Sequence, residues 1–397
     1  MSALLTNLQV ELSILRTDSI YYWSLLTGLT SSGLSQSIVI RQLLPYLALF
    51  VVESDSYLTD VNTQYAKQPK LEYLEMLVSM RNRHKFTGEK RDQISTFLKL
   101  WETIAIWHHK QFLQSHTGHL AWLKRAIQPD LGLAFYKDIL VSSTFGDLYN
   151  MAFDSPVVMR SSDIERISEV LHFLSMDCGK HVAFMRELAK SLPDYRPLPL
   201  AESLIDDKDV SCMDVKAGKL LSRVFDPENQ PAATACLLHY LTVANFMAHF
   251  FEETGARNSE TAFKIKFLAL FEIRRSLEML RNYSMRRNFL GNQAQRRTLM
   301  ILKEEGMKQI SSQGKFRDIL VHYKLNKITG NQSGEQLKQG MLDVKVPLCG
   351  LVEYHFGGMK LDDVRILVDA LMTKVSLHLD GWFQETGGAR GVRIPCK

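Results

Sequence analysis

The segment Leu361 to Trp382 places the strongest constraint on the fold. Leu361, Val364, Val368, Leu371, Met372, Val375, Leu379 and Trp382 recur at steps of three and four, the period of one face of an α-helix. A stripe that long is stable in water only when it is buried against other elements. The same spacing runs through most of the chain. It predicts helices over 5–28, 36–54, 71–85, 89–114, 118–127 and 162–190, then Pro231 to Glu253, Thr261 to Tyr283, Gln293 to Gln309 and Lys315 to Lys327. Alternating Val, Ile and Thr runs bounded by turn residues are nearly absent, so the expected fold class is all-α.

A chain of 397 residues exceeds what one core usually organises, which suggests about two to three domains. Between Ser191 and Asp214, Pro193, Pro197 and Pro199 fall close together and are followed by Asp206, Asp207 and Asp209, a composition that resists a packed helix. The expected organisation is a helical domain at 1–190 of unassigned role, a linker at 191–215 and an antiparallel helix bundle within 216–397. A Gly-rich irregular stretch is expected between Lys327 and about Lys360.

Five cysteines, Cys178, Cys212, Cys236, Cys349 and Cys396, are scattered without a CxxC pair. That pattern argues against a disulfide framework and a thiolate zinc site, and it fits a reducing cytoplasmic setting. The start MSALLTNLQVELSILR carries Glu11 where a secretion signal would be apolar. The run Leu43 to Val52 is about half a membrane span and contains Pro45, so it reads as a buried helix and no membrane partner is expected. Gly-rich loops of the Walker or dinucleotide type are absent, which leaves ATP and NAD chemistry without support; no cofactor is expected.

The segment Lys315-Phe316-Arg317-Asp318-Ile319-Leu320-Val321-His322-Tyr323 gathers an arginine, an acid and a histidine on one short helix. A guanidinium that keeps its proton can neutralise developing phosphate charge, while an imidazole can move the proton of an attacking hydroxyl. Asp318 and His322 are i,i+4 neighbours, whereas Arg317 must reach round the helix to meet His322.

Arg317, Asp318 in the polar slot and His322, on a late helix, resemble the RxxxxH motif of HEPN-domain ribonucleases. The resemblance covers about residues 216–386. It implies an all-α bundle, commonly a homodimer in which two motifs face one RNA-cleaving cleft. It also implies metal-independent cleavage in which the 2′-hydroxyl attacks the adjacent phosphate. His322 would handle the proton, Arg317 would clamp phosphate and Asp318 would orient. A toxin or anti-phage defence role, with the first helices receiving a regulatory partner, is likewise what the resemblance implies. A similar spacing from Arg166 to His172 carries the apolar Ile167 after the arginine and is set aside.

Charge placement adds a separate observation. Lys264, Lys266, Arg274, Arg275, Arg281, Arg286, Arg287, Arg296, Arg297, Lys303 and Lys308 face only Glu272, Glu278, Glu304 and Glu305 over the same stretch. The net charge of +5 is concentrated there. With aromatic and amide side chains interleaved, such a run can follow a nucleic-acid backbone and stack a base; taken alone it is more often a solvated helix face. The candidate RNA contacts are Arg274, Arg281, Asn282, Arg286, Arg287, Lys315, Tyr323 and Lys324. The alternative is a non-catalytic helical adaptor in which His322 packs.

Other groups read as structural. Glu169 and His172 form one ExxH spacing where a di-iron bundle needs two. His108, His109, His116 and His119 lie among Trp101, Trp107 and Trp122 and lack a carboxylate or thiolate at ligand spacing. His249, Glu252 and Glu253 make an ordinary polar helix end. Ser142 to Asp147 resembles a phosphate loop only faintly, with no strand expected before it.

Overall fold

The computed structural model describes residues 2–28, 34–61, 73–85, 99, 101–103, 106, 129–152, 164–190, 207–251, 259–323, 347–388 and 394–395. The expected helices at 118–127 and most of 89–114, and the histidines at 108, 109, 116 and 119, lie outside these residues, as does Lys324. The chain is mostly helical. In order it forms α1 (Ser2–Gly28), α2 (Leu34–Val61), α3 (Leu74–Asn82) with a 3-10 turn Arg83–Lys85, β1 (Leu131–Tyr136), β2 (Ile139–Ser143), α4 (Thr144–Asn150) and α5 (Ile164–Lys190). Then come β3 (Val210–Val215), α6 (Ala217–Leu221), α7 (Pro231–Asn245), α8 (Glu260–Arg287), α9 (Asn292–Leu302), α10 (Met307–Ser311), α11 (Gly314–His322), α12 (Pro347–His355), α13 (Leu361–Glu385) and β4 (Ile394–Pro395).

The helical expectation holds in its main part, and a small antiparallel sheet in the order β2-β1-β3-β4 is added to it. The β1–β2 hairpin turns at Lys137 and Asp138, both with positive φ (45° and 68°). Hairpins favour that geometry because its twist matches the strands, yet Asn-Gly or Asp-Gly usually marks it. A Lys-Asp turn between short strands gave no such signal. Residues 210–215 of the expected linker form β3 and pair with β1 along its whole length.

Two further expectations change. Cys212, on β3 opposite Ile394 of β4, is disulfide-bonded, against the expectation of no disulfide framework, whereas Cys178, Cys236 and Cys349 are free. Part of the expected irregular stretch is α12, which Pro347 opens at the position where its missing N–H costs nothing.

Buried side chains from Ile14 to Phe383 form one contiguous core. The predicted stripe of α13 is inside it, with Val364, Val368, Val375, Leu379 and Trp382 fully buried. Helix α7 is buried on every side and packs on β2 and α13. By length and composition Ser35–Thr59 could cross a membrane, with mean hydropathy 1.4, and 78% of that window is buried inside the fold. Its apolar residues, Leu43 to Val52 among them, therefore have protein neighbours.

The core also encloses imidazoles. His181 meets Ser54 Oγ at 2.7 Å, and His239 lies against the Trp101 and Tyr149 rings at 5.5 and 4.9 Å. Burial pulls His181 down to about 4 and His239 down to about 3. A depressed imidazole contributes stability above its ordinary value of 6.5 and loses it as pH falls toward the folded value. The urea midpoint is therefore expected to hold near pH 7 to 8 and to fall between about pH 6.5 and 4. A flat profile over that window would show that these residues do not govern acid unfolding.

Candidate active site

Helix α11 carries the RxxxxH residues and packs against α2, α8 and α12. Phe316, Ile319 and Leu320 hold it in the core, and Phe316 meets the Phe267 ring edge-on at 5.0 Å. It stops because Tyr323 takes a left-handed conformation (φ 51°), which costs a non-glycine residue about 1 kcal/mol. The Tyr323 side chain anchors that turn. Its hydroxyl bonds Asp18 Oδ2 at 2.5 Å and accepts from Lys264 Nζ at 3.0 Å, while Thr261 donates to the other Asp18 oxygen at 2.7 Å.

Arg317 lies beneath the surface and is almost fully engaged. Its Nε and Nη2 reach Glu272 Oε1 on α8 at 3.0 and 2.8 Å. Nη1 donates to Asp318 at 2.8 Å, and Nη2 also reaches His84 Nε2 at 3.4 Å. Four of the five guanidinium hydrogens are thus directed at protein acceptors. Burial opposes its charge, but Glu272 and Asp318 outweigh that and hold its pKa above the ordinary arginine value. His84 is neutral. Burial and the Arg317 charge press its pKa well down, and its Nδ1 bonds the Arg81 carbonyl, which leaves Nε2 as the acceptor for Arg317.

His322 is the more open group, with 37% of its side chain exposed. Its Nδ1 meets Glu53 Oε2 on α2 at 2.9 Å, and Arg81 on α3 occupies Glu53 Oε1 at 2.6 Å. An ionised carboxylate only accepts, so the proton of the neutral ring sits on Nδ1 and the lone pair on Nε2. Two groups of side chains meet here: Glu272, Arg317 and His84 are buried, with the more open Asp318 on Arg317, while Arg81 and the buried Glu53 lead to the partly exposed His322. Chemically, a carboxylate-held imidazole can accept a proton from a bound hydroxyl, as general bases do.

The expected roles divide accordingly. Asp318 bonds Arg317 rather than His322, and Glu53 supplies the orienting carboxylate. Arg317 is committed to two carboxylates instead of facing solvent as a phosphate clamp would. Tyr323 is buried with Lys264 Nζ 4.2 Å from its ring centroid, so it presents no ring to a base. Lys315 is exposed. Of the basic run, Lys264 and Lys266 are inside and paired with Asp18 and Asp369. Arg274 bonds Glu278 at 2.8 Å, Arg281 and Asn282 are half-buried, and Arg286, Arg287 and Arg296 are exposed.

Glu53, Arg81, His84 and Glu272 escaped the sequence reading. A signal existed for two of them. Glu53 directly follows the apolar run ending at Val52, and Glu272 stands between Phe271 and Ile273 on a helix stripe; a carboxylate at a core position calls for a cationic partner. Among the other candidates, His249 bonds Ser376 at 3.1 Å and His172 is exposed; the side chain of Glu169, and Glu252 and Glu253, lie outside the described residues. Ser142 and Asp147 bond each other at 2.6 Å, with Arg41 on Asp147 at 3.0 Å, and β2 does precede them. That segment is an internally satisfied strand-to-helix corner. Among the described residues no group of three His, Cys, Asp or Glu side chains is placed to hold a metal ion. No protein-family model, curated protein or solved structure matches the chain.

Removing one partner of a buried ion pair leaves the other charge uncompensated. Arg317→Ala is expected to lower unfolding stability by about 3–5 kcal/mol, read by urea denaturation. Arg317→Lys should recover little of it, because an ammonium cannot serve Glu272, Asp318 and His84 together. Full recovery by lysine would show that charge alone, without the guanidinium fork, holds the cluster.

Proposed function

We propose that this chain is a metal-independent endoribonuclease whose helical bundle resembles a HEPN domain, with His322 as its general base. The observation that carries the reading is the Glu53–His322 pair at 2.9 Å, in which His322 shares α11 with Arg317 and is partly open to solvent. In this scheme His322 Nε2 takes the proton of a ribose 2′-hydroxyl, and the 2′ oxygen bonds to the adjacent phosphorus. The bond to the 5′ oxygen breaks, and that oxygen takes a proton from solvent. The products are a 2′,3′-cyclic phosphate and a 5′-hydroxyl. Arg317 acts as a positioning residue that ties α11 to α8, and Glu53 orients the base. A homodimer through the bundle belongs to the same proposal, as does a cytoplasmic setting, in which the disulfide at Cys212 would be exposed to reduction.

The burial of Arg317 favours a second reading, a non-catalytic helical adaptor in which the motif is an internal brace. The two separate cleanly. With purified protein, a labelled RNA and excess chelator, the ribonuclease reading expects cyclic-phosphate ends from the wild type and none from His322→Ala. Glu53→Gln, which keeps shape but removes the orienting charge, should slow cleavage by about 10²-fold or more, the range for general-base loss. Intact RNA with every protein, at matched circular dichroism, would support the adaptor.

A further inference from the structure

Helix α8 connects the Arg317 cluster to the exposed basic end of the bundle, and its sequence sorts cleanly by face. Starting from Glu272, the positions three, seven, ten and fourteen residues on are Arg275, Met279, Asn282 and Arg286, which lie along one side of a helix. Arg274 and Arg281 point the other way, and Arg274 is paired there with Glu278. The stripe begins at the candidate site itself: Arg275 Nη1 is 3.7 Å from Glu272 Oε2 with a quarter of its side chain exposed (25%). The 3-10 turn bearing Lys85 packs on α8, close enough for its charge to act on Glu272. At the far end Arg286 is exposed, Arg287 stands 5.8 Å from the half-buried Tyr283 ring, and the helix closes at the left-handed Asn288 (φ 49°). Fourteen residues at the helical rise span about 21 Å.

Resting on the ribonuclease reading above, we propose that this face of α8 is a track for single-stranded RNA, running from the His322 site to Arg286. Lys85, Arg275 and Arg286 space cations along it for backbone phosphates. Met279 and Tyr283 supply apolar surface for unpaired bases, and Asn282 supplies an amide between them. The assignment solves a difficulty of the site: Arg317 is neutralised by its carboxylates, so the positive charge that holds phosphate comes from this neighbouring stripe. Sequence-tolerant binding by alternating cations and apolar side chains is the usual physics of single-strand grooves. A duplex, whose bases are stacked inward, would gain the phosphate contacts and lose those with Met279 and Tyr283.

The test uses full-length His322→Ala protein, so that RNA survives, with a fluorescent single strand of about twelve nucleotides, within the footprint range of such grooves, and a trinucleotide for comparison. The parent should bind the longer strand at least tenfold more tightly. Adding Arg286→Glu should weaken that binding tenfold or more and reduce the salt slope by about one, with less than twofold effect on the trinucleotide. Lys219→Glu, an equal charge change on the exposed face of α6, should leave both unchanged. If Arg286→Glu and Lys219→Glu behave alike while wild-type protein still cleaves RNA, the track is overturned and the ribonuclease reading stands. If the parent binds no RNA and the wild type cleaves none, both fall together.

Discussion

The buried pair of Arg317 and Glu272 fixes the position of everything around it. A charge in a core position demands its counter-charge at close range, so α11 can dock on α8 only in the register that brings the guanidinium to the carboxylate. The remaining guanidinium hydrogens then fix Asp318 and His84, and His84 in turn fixes the 3-10 turn at the end of α3. One polar residue thus specifies the meeting of three segments, where apolar packing alone would tolerate small slips. His322, one turn further along α11, inherits its place beside Glu53 from that registration.

A second buried cluster does the same work at the end of α11. Asp18 of α1, Thr261 and Lys264 of α8, and Tyr323 hold one another through hydrogen bonds, and they stabilise the left-handed turn that ends the helix immediately after His322. The two clusters bracket the candidate base. Its ring is held at Nδ1 and its backbone is held on both sides, the arrangement that gives an imidazole a defined direction without closing off Nε2. First-half residues (Asp18, Glu53, Arg81, His84) and second-half residues (Lys264, Glu272, Arg317, His322) contribute equally, so the candidate site is built by the packing of the two.

Much of the helical framework was legible because a period of 3.6 leaves an unambiguous mark on long segments. The α13 stripe, the burial of Leu43 to Val52 and the approximate extent of α8 all follow from which residues repeat on one face. The sheet was not legible, since β1 and β2 are short, turn through Lys137-Asp138 instead of a glycine pair, and find their third strand more than sixty residues later. The disulfide at Cys212 was not legible either, because the five cysteines are scattered without a paired spacing. The basic run was legible as charge but not as surface: Lys264 and Lys266 fall on the buried side of α8, and composition counts them with Arg286 and Arg287 although their surroundings are opposite.

The sequence by itself determined a mostly helical chain and placed Arg317, Asp318 and His322 together on one short helix, because those properties depend on residues near one another in the chain. Tertiary structure alone decided what each of them does there. Whether Arg317 faces solvent or a carboxylate, and whether His322 is oriented by Asp318 or by Glu53, depends on partners 45 and 269 residues away. Contacts of that separation are set by how amphipathic faces close on one another, and no local spacing records them.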